Sequence, residues 1–271
     1  MKTSQRAEGT PAQPREQLVA RGAVSDDVVI AFEDVYKSFG PHHILRGLTF
    51  EVRRGTTLAI MGPSGTGKSV SLRHVIGLIK ADKGRVLVEG QDMASVGRKK
   101  LAEMRRRMGY VFQESALINW LSVADNLALP LRENTDLKES EIADQVTEKL
   151  ELVHVPDAGA KMPSELSGGM KKRVGLARAL ITNPDIILYD EPNAGLDPEI
   201  SRSINELINE VKERLDSTAI VEHRIPCIKT VADEVMFIEG GKKLVQLPPA
   251  EFFSSEHPRL RQFLGEPGEQ E

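Results

Sequence analysis

The hydrophobic rhythm of the chain changes several times, and each change marks an element. Residues 1 to about 27 are polar, carry Pro11 and Pro14, and predict a disordered tail. At "VVIAFEDVYKSF" the apolar residues begin to alternate, the period of a half-buried strand. "HILRGLTFEV" and "GRVLVEG" predict two more short strands, the second bounded by Gly84 and Gly90. "TTLAIMG", Thr56 to Gly62, is instead a continuous apolar run. It is long enough for a strand buried on both faces, and it feeds into a glycine-rich turn and a helix.

The middle of the chain reads as helical. Ile142, Val146 and Leu150 recur every four residues down one face, with Ser140 as the expected N-cap. "KKLAEMRRRMG" sets Lys99, Lys100, Arg105, Arg106 and Arg107 on what is expected to be a solvated helix face. Strand and helix then alternate: "DIILYD", a helix with Ile200, Ile204, Leu207, Ile208 and Val211 on one face, and "STAIV". That alternation predicts parallel pairing and an α/β core. "EVMFIEGGKKLVQL" predicts a closing hairpin that turns at Gly240 and Gly241. Residues 248–271 form a charged extension, with apolar residues enough for one short docked helix in "HPRLRQFLGEP".

Composition adds mainly exclusions. A chain of 271 residues can bury a large core, as one sizeable domain or two small ones. Its net charge of −4 offers no electrostatic reason to expect a nucleic acid partner. Cys227 is the only cysteine, so an intrachain disulfide or a cysteine-rich metal site is impossible. No apolar run approaches the ~20 residues of a membrane span, so any membrane role is expected to come through partners.

The candidate chemistry begins at "GPSGTGKS", which fits G-x-x-x-x-G-K-[ST] between a buried strand and a helix. Gly62, Pro63, Ser64, Gly65, Thr66 and Gly67 would curl so that backbone N–H groups face phosphates. Lys68 would reach the β- and γ-phosphates, and the Ser69 hydroxyl would ligate Mg²⁺. Such a site needs an acidic partner. "IILYDEP" supplies Asp190 at a strand end, expected to hold Mg²⁺ through water, and Glu191 beside it to orient and deprotonate an attacking water. A second glycine motif, "LSGGMKKRV", opens a basic helix about a hundred residues further on. Glycine N–H groups at a helix N-terminus also suit an anion.

In this order "GPSGTGKS", "LSGG", "YDEP" and "NAGLD" resemble the ATP-binding subunit of an ABC transporter, over roughly residues 28–247. The resemblance implies an α/β P-loop NTPase of the ABC type, with an antiparallel β subdomain and an inserted helical subdomain at about 94–180. ATP and Mg²⁺ are the implied ligands. Gln113 in "YVFQESAL" would touch Mg²⁺ and sense a membrane subunit, and Phe39 in "KSFG" would stack on adenine. Asp197 in "NAGLD" would sit at a dimer seam, and His223 would contact the γ-phosphate. Ser167, Gly168, Gly169 and Met170 would close on the ATP held by Lys68 of a second, head-to-tail copy of the chain.

Three departures stand out. His223 is flanked by Glu222 and Arg224, Val70 follows Ser69 where many relatives carry Thr, and Met170 replaces the usual Gln. An adjacent carboxylate favours a protonated imidazole at His223. Met170, with "GPSGTGKSV" and "HPRLRQFLGEP", resembles the ATPase of Mla/Mce-type lipid transporters. That branch implies phospholipid traffic between envelope membranes, integral permease subunits, an Mce-domain lipid-binding protein and a small regulatory subunit. It also implies a peripheral place on the cytoplasmic side of the inner membrane, and a C-terminal extension whose Leu260 and Phe263 anchor on the neighbouring subunit. The rival readings are the ATPase of another ABC importer or exporter, for amino acids, metals or lipoproteins, and a non-transport ABC ATPase acting on nucleic acid or ribosomes. One motif set, no heptad run and the acidic balance weigh against the last.

Overall fold

The computed structural model describes residues 27–213, 217–221 and 225–265. The alternating segments at the start pair as expected. β1 (Val28–Phe39) and β2 (His42–Arg53) form a long antiparallel ladder turning at Gly40. The continuous apolar run becomes β3 (Thr57–Met61), buried at every position, and passes through the glycine-rich turn into α1 (Lys68–Val75). β4 (Lys83–Val88) returns to the free side of β1, and β5 (Gln91–Asp92) completes a four-stranded antiparallel sheet.

The chain then crosses α2 (Arg98–Arg106) to β6 (Met108–Val111), and builds α3 (Val123–Asn134), α4 (Glu139–Leu152) and α5 (Gly168–Leu180). It returns through β7 (Ile186–Asp190), α6 (Pro198–Lys212), β8 (Ser217–Val221), α7 (Ile225–Val231), β9 (Glu234–Glu239) and β10 (Lys242–Leu247). These strands form a second sheet in the order β10-β9-β3-β8-β7-β6. It is parallel except for β10, which folds back on β9 at Gly240 and Gly241. The phosphate-loop strand therefore sits inside a parallel sheet, with its carboxyl end toward the site, the placement ligands favour in α/β folds.

Three expectations need correction. The span at 94–180 is not helical throughout, because β6 leaves it to pair with β7 at the edge of the parallel sheet. α4 begins at Glu139, ahead of Ser140. The Glu141 carboxylate accepts from the Lys138 backbone N–H at 2.8 Å, so an acid closes this helix start and Ser140 lies inside it. The basic run around α2 is solvated as expected, with Lys99, Lys100, Arg105, Arg106 and Arg107 all exposed. Arg105 donates to the carbonyls of Ile76 and Gly77, and Arg107 pairs with Glu89 and Asp185. Finally, α8 (Pro249–Phe253) and α9 (Pro258–Leu264) dock on their own chain. Leu260 is fully buried with Met61, Phe237 and Phe252, and the Phe263 ring meets Phe237 edge-on at 4.8 Å. Both anchors expected at a neighbouring subunit are thus used internally. Among the described residues no helix is long and apolar enough to cross a membrane.

Candidate nucleotide-binding and catalytic site

The phosphate loop is shaped by close backbone approach. Gly62 has φ 149°, and a Cβ there would lie 2.2 Å from the Ile238 carbonyl oxygen. Gly67 has φ 104°, with Leu45 Cδ2 at 2.5 Å from its missing Cβ. Neither position accepts a side chain without displacing its neighbours. Thr66 Oγ1 donates to the Pro63 carbonyl at 2.8 Å and tightens the turn, while Ser64 and Gly65 are exposed at its tip.

Lys68 opens α1 and is 6% exposed. Its Nζ donates to the carbonyls of Gly62 at 2.8 Å and Pro63 at 3.1 Å. Burial holds its pKa below the usual lysine range, against the opposing pull of the Glu191 and Asp190 carboxylates. A partly desolvated cation in a ring of backbone groups is strongly attractive to phosphate oxygens. Val70, one of the departures, packs half-buried against the core under the antiparallel sheet.

Asp190 ends β7, one strand removed from β3, yet Ser69 Oγ reaches its Oδ1 at 2.8 Å. Its other oxygen accepts from the Tyr110 hydroxyl, also at 2.8 Å. The register Tyr110↔Leu188 puts Tyr110 on the same face of the sheet as Asp190. Burial, reinforced by the charge of Asp190, raises the phenol pKa and keeps the hydroxyl a donor. A hydroxyl and a carboxylate side by side are hard oxygen ligands, and the residues fit Mg²⁺, which takes few protein ligands beside phosphates and water.

Glu191 follows in a left-handed conformation at φ 49°. Its carbonyl accepts from the Ala194 N–H at 3.2 Å and from Lys172 Nζ at 3.4 Å. Gln113 lies exposed just beyond β6, and its carbonyl also accepts from Lys172. Phe39 ends β1 with 47% of its surface exposed and Lys37 Nζ 5.5 Å from its ring centre, so it is no core residue and its ring is open to stacking.

The second glycine motif starts α5. Ser167 is the N-cap, its Oγ accepting from the Met170 N–H at 3.3 Å. Gly168 is exposed, whereas a Cβ on buried Gly169 would lie 3.0 Å from Ile200 Cγ2. Met170 is half-buried against the helical core. Asp197 caps α6, accepting from Glu199 and Ile200 at 3.0 and 2.9 Å. His223, with Glu222 and Arg224, lies outside the described residues. Two residues of the site escaped the sequence reading. Tyr110 looked like any strand aromatic, and Lys172 like one more cation in a basic helix.

A strand–turn–helix cradle holding a buried lysine, with a Ser–Asp oxygen pair at the end of a neighbouring parallel strand, defines a P-loop nucleoside triphosphatase. Residues 45–194 match the family model described as ABC transporter, and the chain belongs to that family, as the ATP-binding and hydrolysing subunit of a transporter. It is 42% identical to the "Probable ribonucleotide transport ATP-binding protein mkl" of Mycobacterium leprae, over 90% of this chain and 70% of that protein. It is 39% identical to the "Intermembrane phospholipid transport system ATP-binding protein MlaF" of Escherichia coli, over 87% of this chain and 88% of that one. Among solved structures, the dimeric post-hydrolysis state of the cassette MJ0796 with ADP and Pi superposes with a TM-score of 0.75 at 28% identity. That match covers 81% of this chain and 98% of the other.

Proposed function

We propose that this ATPase powers the movement of phospholipid or a similar lipid between envelope membranes. The observation that carries the reading is the match to MlaF, which runs through nearly the whole of both chains. Met170 in "LSGGM" supports the same branch.

In the mechanism we infer, Lys68 and the N–H groups of Gly62 and residues 64–67 grip the β- and γ-phosphates. Ser69, Asp190 and Gln113 would hold Mg²⁺, with Tyr110 bracing the far oxygen of Asp190. When bound, the metal neutralises phosphate charge and polarises the γ-phosphoryl group. Phe39 stacks on the adenine, and Val70 follows the metal-ligating hydroxyl as part of the wall. Glu191 orients a water and takes its proton as the water oxygen bonds to the γ-phosphorus. The bond to the bridging oxygen breaks and ADP carries away the electron pair. His223 is assigned to the γ-phosphate. Ser167, Gly168, Gly169 and Met170 of a second copy complete the site head-to-tail, with Asp197 at the seam. Loss of the γ-phosphate contacts then opens the pair.

The ATPase is expected on the cytoplasmic face of the inner membrane, held by permease subunits, with an Mce-domain lipid-binding protein and a small regulatory subunit beyond them. A groove of about 360 Å³ supports a permease contact. It is lined by Arg105, Arg106, Tyr110, Phe112, Asn134 and Arg178, and reaches the residue next to Gln113. Trp120 in the following loop is 80% exposed.

The test is to purify the transporter from membranes through this subunit, then identify its proteins and extracted lipids by mass spectrometry. A permease with an Mce-domain protein and stoichiometric phospholipid is expected. A periplasmic solute-binding protein without lipid would instead favour small-solute transport, the class of cargo in the name of the mycobacterial relative.

A further inference from the structure

Within "GGMKKRV" the two lysines look equivalent, but the fold separates them. Lys171 is half-buried, whereas Lys172 is 8% exposed. Its stem lies in a wall that includes Val111, Leu176, Tyr189 and Ile204. A buried ammonium is unfavourable unless its donors are taken up. Here Nζ donates to the main-chain oxygen of Gln113 and, at 3.4 Å, to that of Glu191.

Those two carbonyls are related by the sheet. β6 and β7 pair in parallel with Val111 opposite Tyr189, so Gln113 and Glu191 stand equally far beyond the paired ends. Lys172 reaches both from α5, the helix that begins with Ser167–Met170. One side chain therefore spans three segments: the signature helix, the turn that carries Gln113 and the turn that carries Glu191. The turn at Glu191 has reason to need a brace, because a non-glycine residue at φ 49° persists only where its surroundings hold it.

We propose that Lys172 is a positioning residue, tying α5 to both turns so that the placement of the signature helix sets the placement of the Glu191 carboxylate. The proposal rests on the reading of Glu191 as the base. If Lys172 served only to pack its stem, methionine would replace it without penalty.

The experiment is Lys172→Met in the full chain within the assembled transporter, read by steady-state kinetics and by amide hydrogen exchange. We expect kcat to fall on the order of tenfold or more while KM for ATP stays within about twofold. Exchange should quicken selectively at residues 112–116 and 191–195, with the interiors of α4 and α6 unchanged. Unchanged exchange in those two turns would overturn the tether. So would loosening spread evenly through α3 to α6, which would make the Lys172 charge a general support of the helical core rather than a tether of the two turns. Hydrolysis at close to the wild-type rate in Glu191→Gln would remove the base assignment, whereas the exchange pattern of Lys172→Met reports on the tether itself.

Discussion

The phosphate loop offers a stability prediction that can be worked from distances. In Gly62→Ala the new methyl lies 2.2 Å from the Ile238 carbonyl oxygen and 3.1 Å from Thr66 Oγ1. Ile238 belongs to β9, and the pairing of Met61 with Phe237 holds that strand against β3, so the oxygen cannot swing aside. Overpacking of this kind costs about 1–3 kcal/mol. The positive φ adds roughly 1–3 kcal/mol for a residue with a side chain. Gly65→Ala is the comparison, because φ there is 79° but nothing lies within 4 Å of the new atom. Only the backbone term then applies, about 1–2 kcal/mol. The two variants should differ by roughly 2 kcal/mol, which moves a urea midpoint by about 0.5–1 M. Far-UV circular dichroism is the suitable probe, since Trp120 is already 80% exposed and its emission would change little on unfolding. Equal midpoints for the two variants would refute the close approach of β9 to the loop.

Three further outcomes follow from the same geometry. Glu191→Gln should slow hydrolysis by about 10²–10⁴-fold with nucleotide binding retained; loss of binding in an equilibrium titration would contradict its role as base. Lys68→Ala and Gly169→Asp chains, each inactive alone, should recover roughly a quarter of wild-type turnover when mixed in the assembled transporter, because half the pairs then hold one intact site. No recovery in verified mixed dimers, with mixed wild-type controls active, would defeat the shared-site reading. Truncation after Leu247 should destabilise the single chain by several kcal/mol, since burying side chains such as Phe252 and Leu260 is worth about 1.5–3 kcal/mol each. A thermal melt identical to that of the full chain would show that α8 and α9 do not belong to the core.

Much of this protein was legible along the chain, because its main signals are local. A strand, a glycine turn and a helix follow one another in residues 56–75, and the apolar run ending in Asp190 and Glu191 carries its own boundary. Alternation in residues 28–39 predicted a strand, and the two glycines at 240–241 a hairpin, from short-range pattern and turn chemistry alone. The failures are those where a residue's fate depends on what a distant segment brings to it. Ser140 was outcompeted as a cap by an acid one residue further on, and Leu260 and Phe263 found Phe237 of their own chain before any neighbour. Asp190 acquired Tyr110 only through the β6–β7 register, which the spacing of eighty residues does not encode. Lys172 is the sharpest case. In sequence it is one cation among several, and only the burial of α5 against two paired strands turns its charge inward onto the turns of Gln113 and Glu191. Local patterning decided which elements form and where the phosphate chemistry lies. Long-range packing decided which side chains brace it, because desolvation and hydrogen-bond partners exist only once the sheet is assembled.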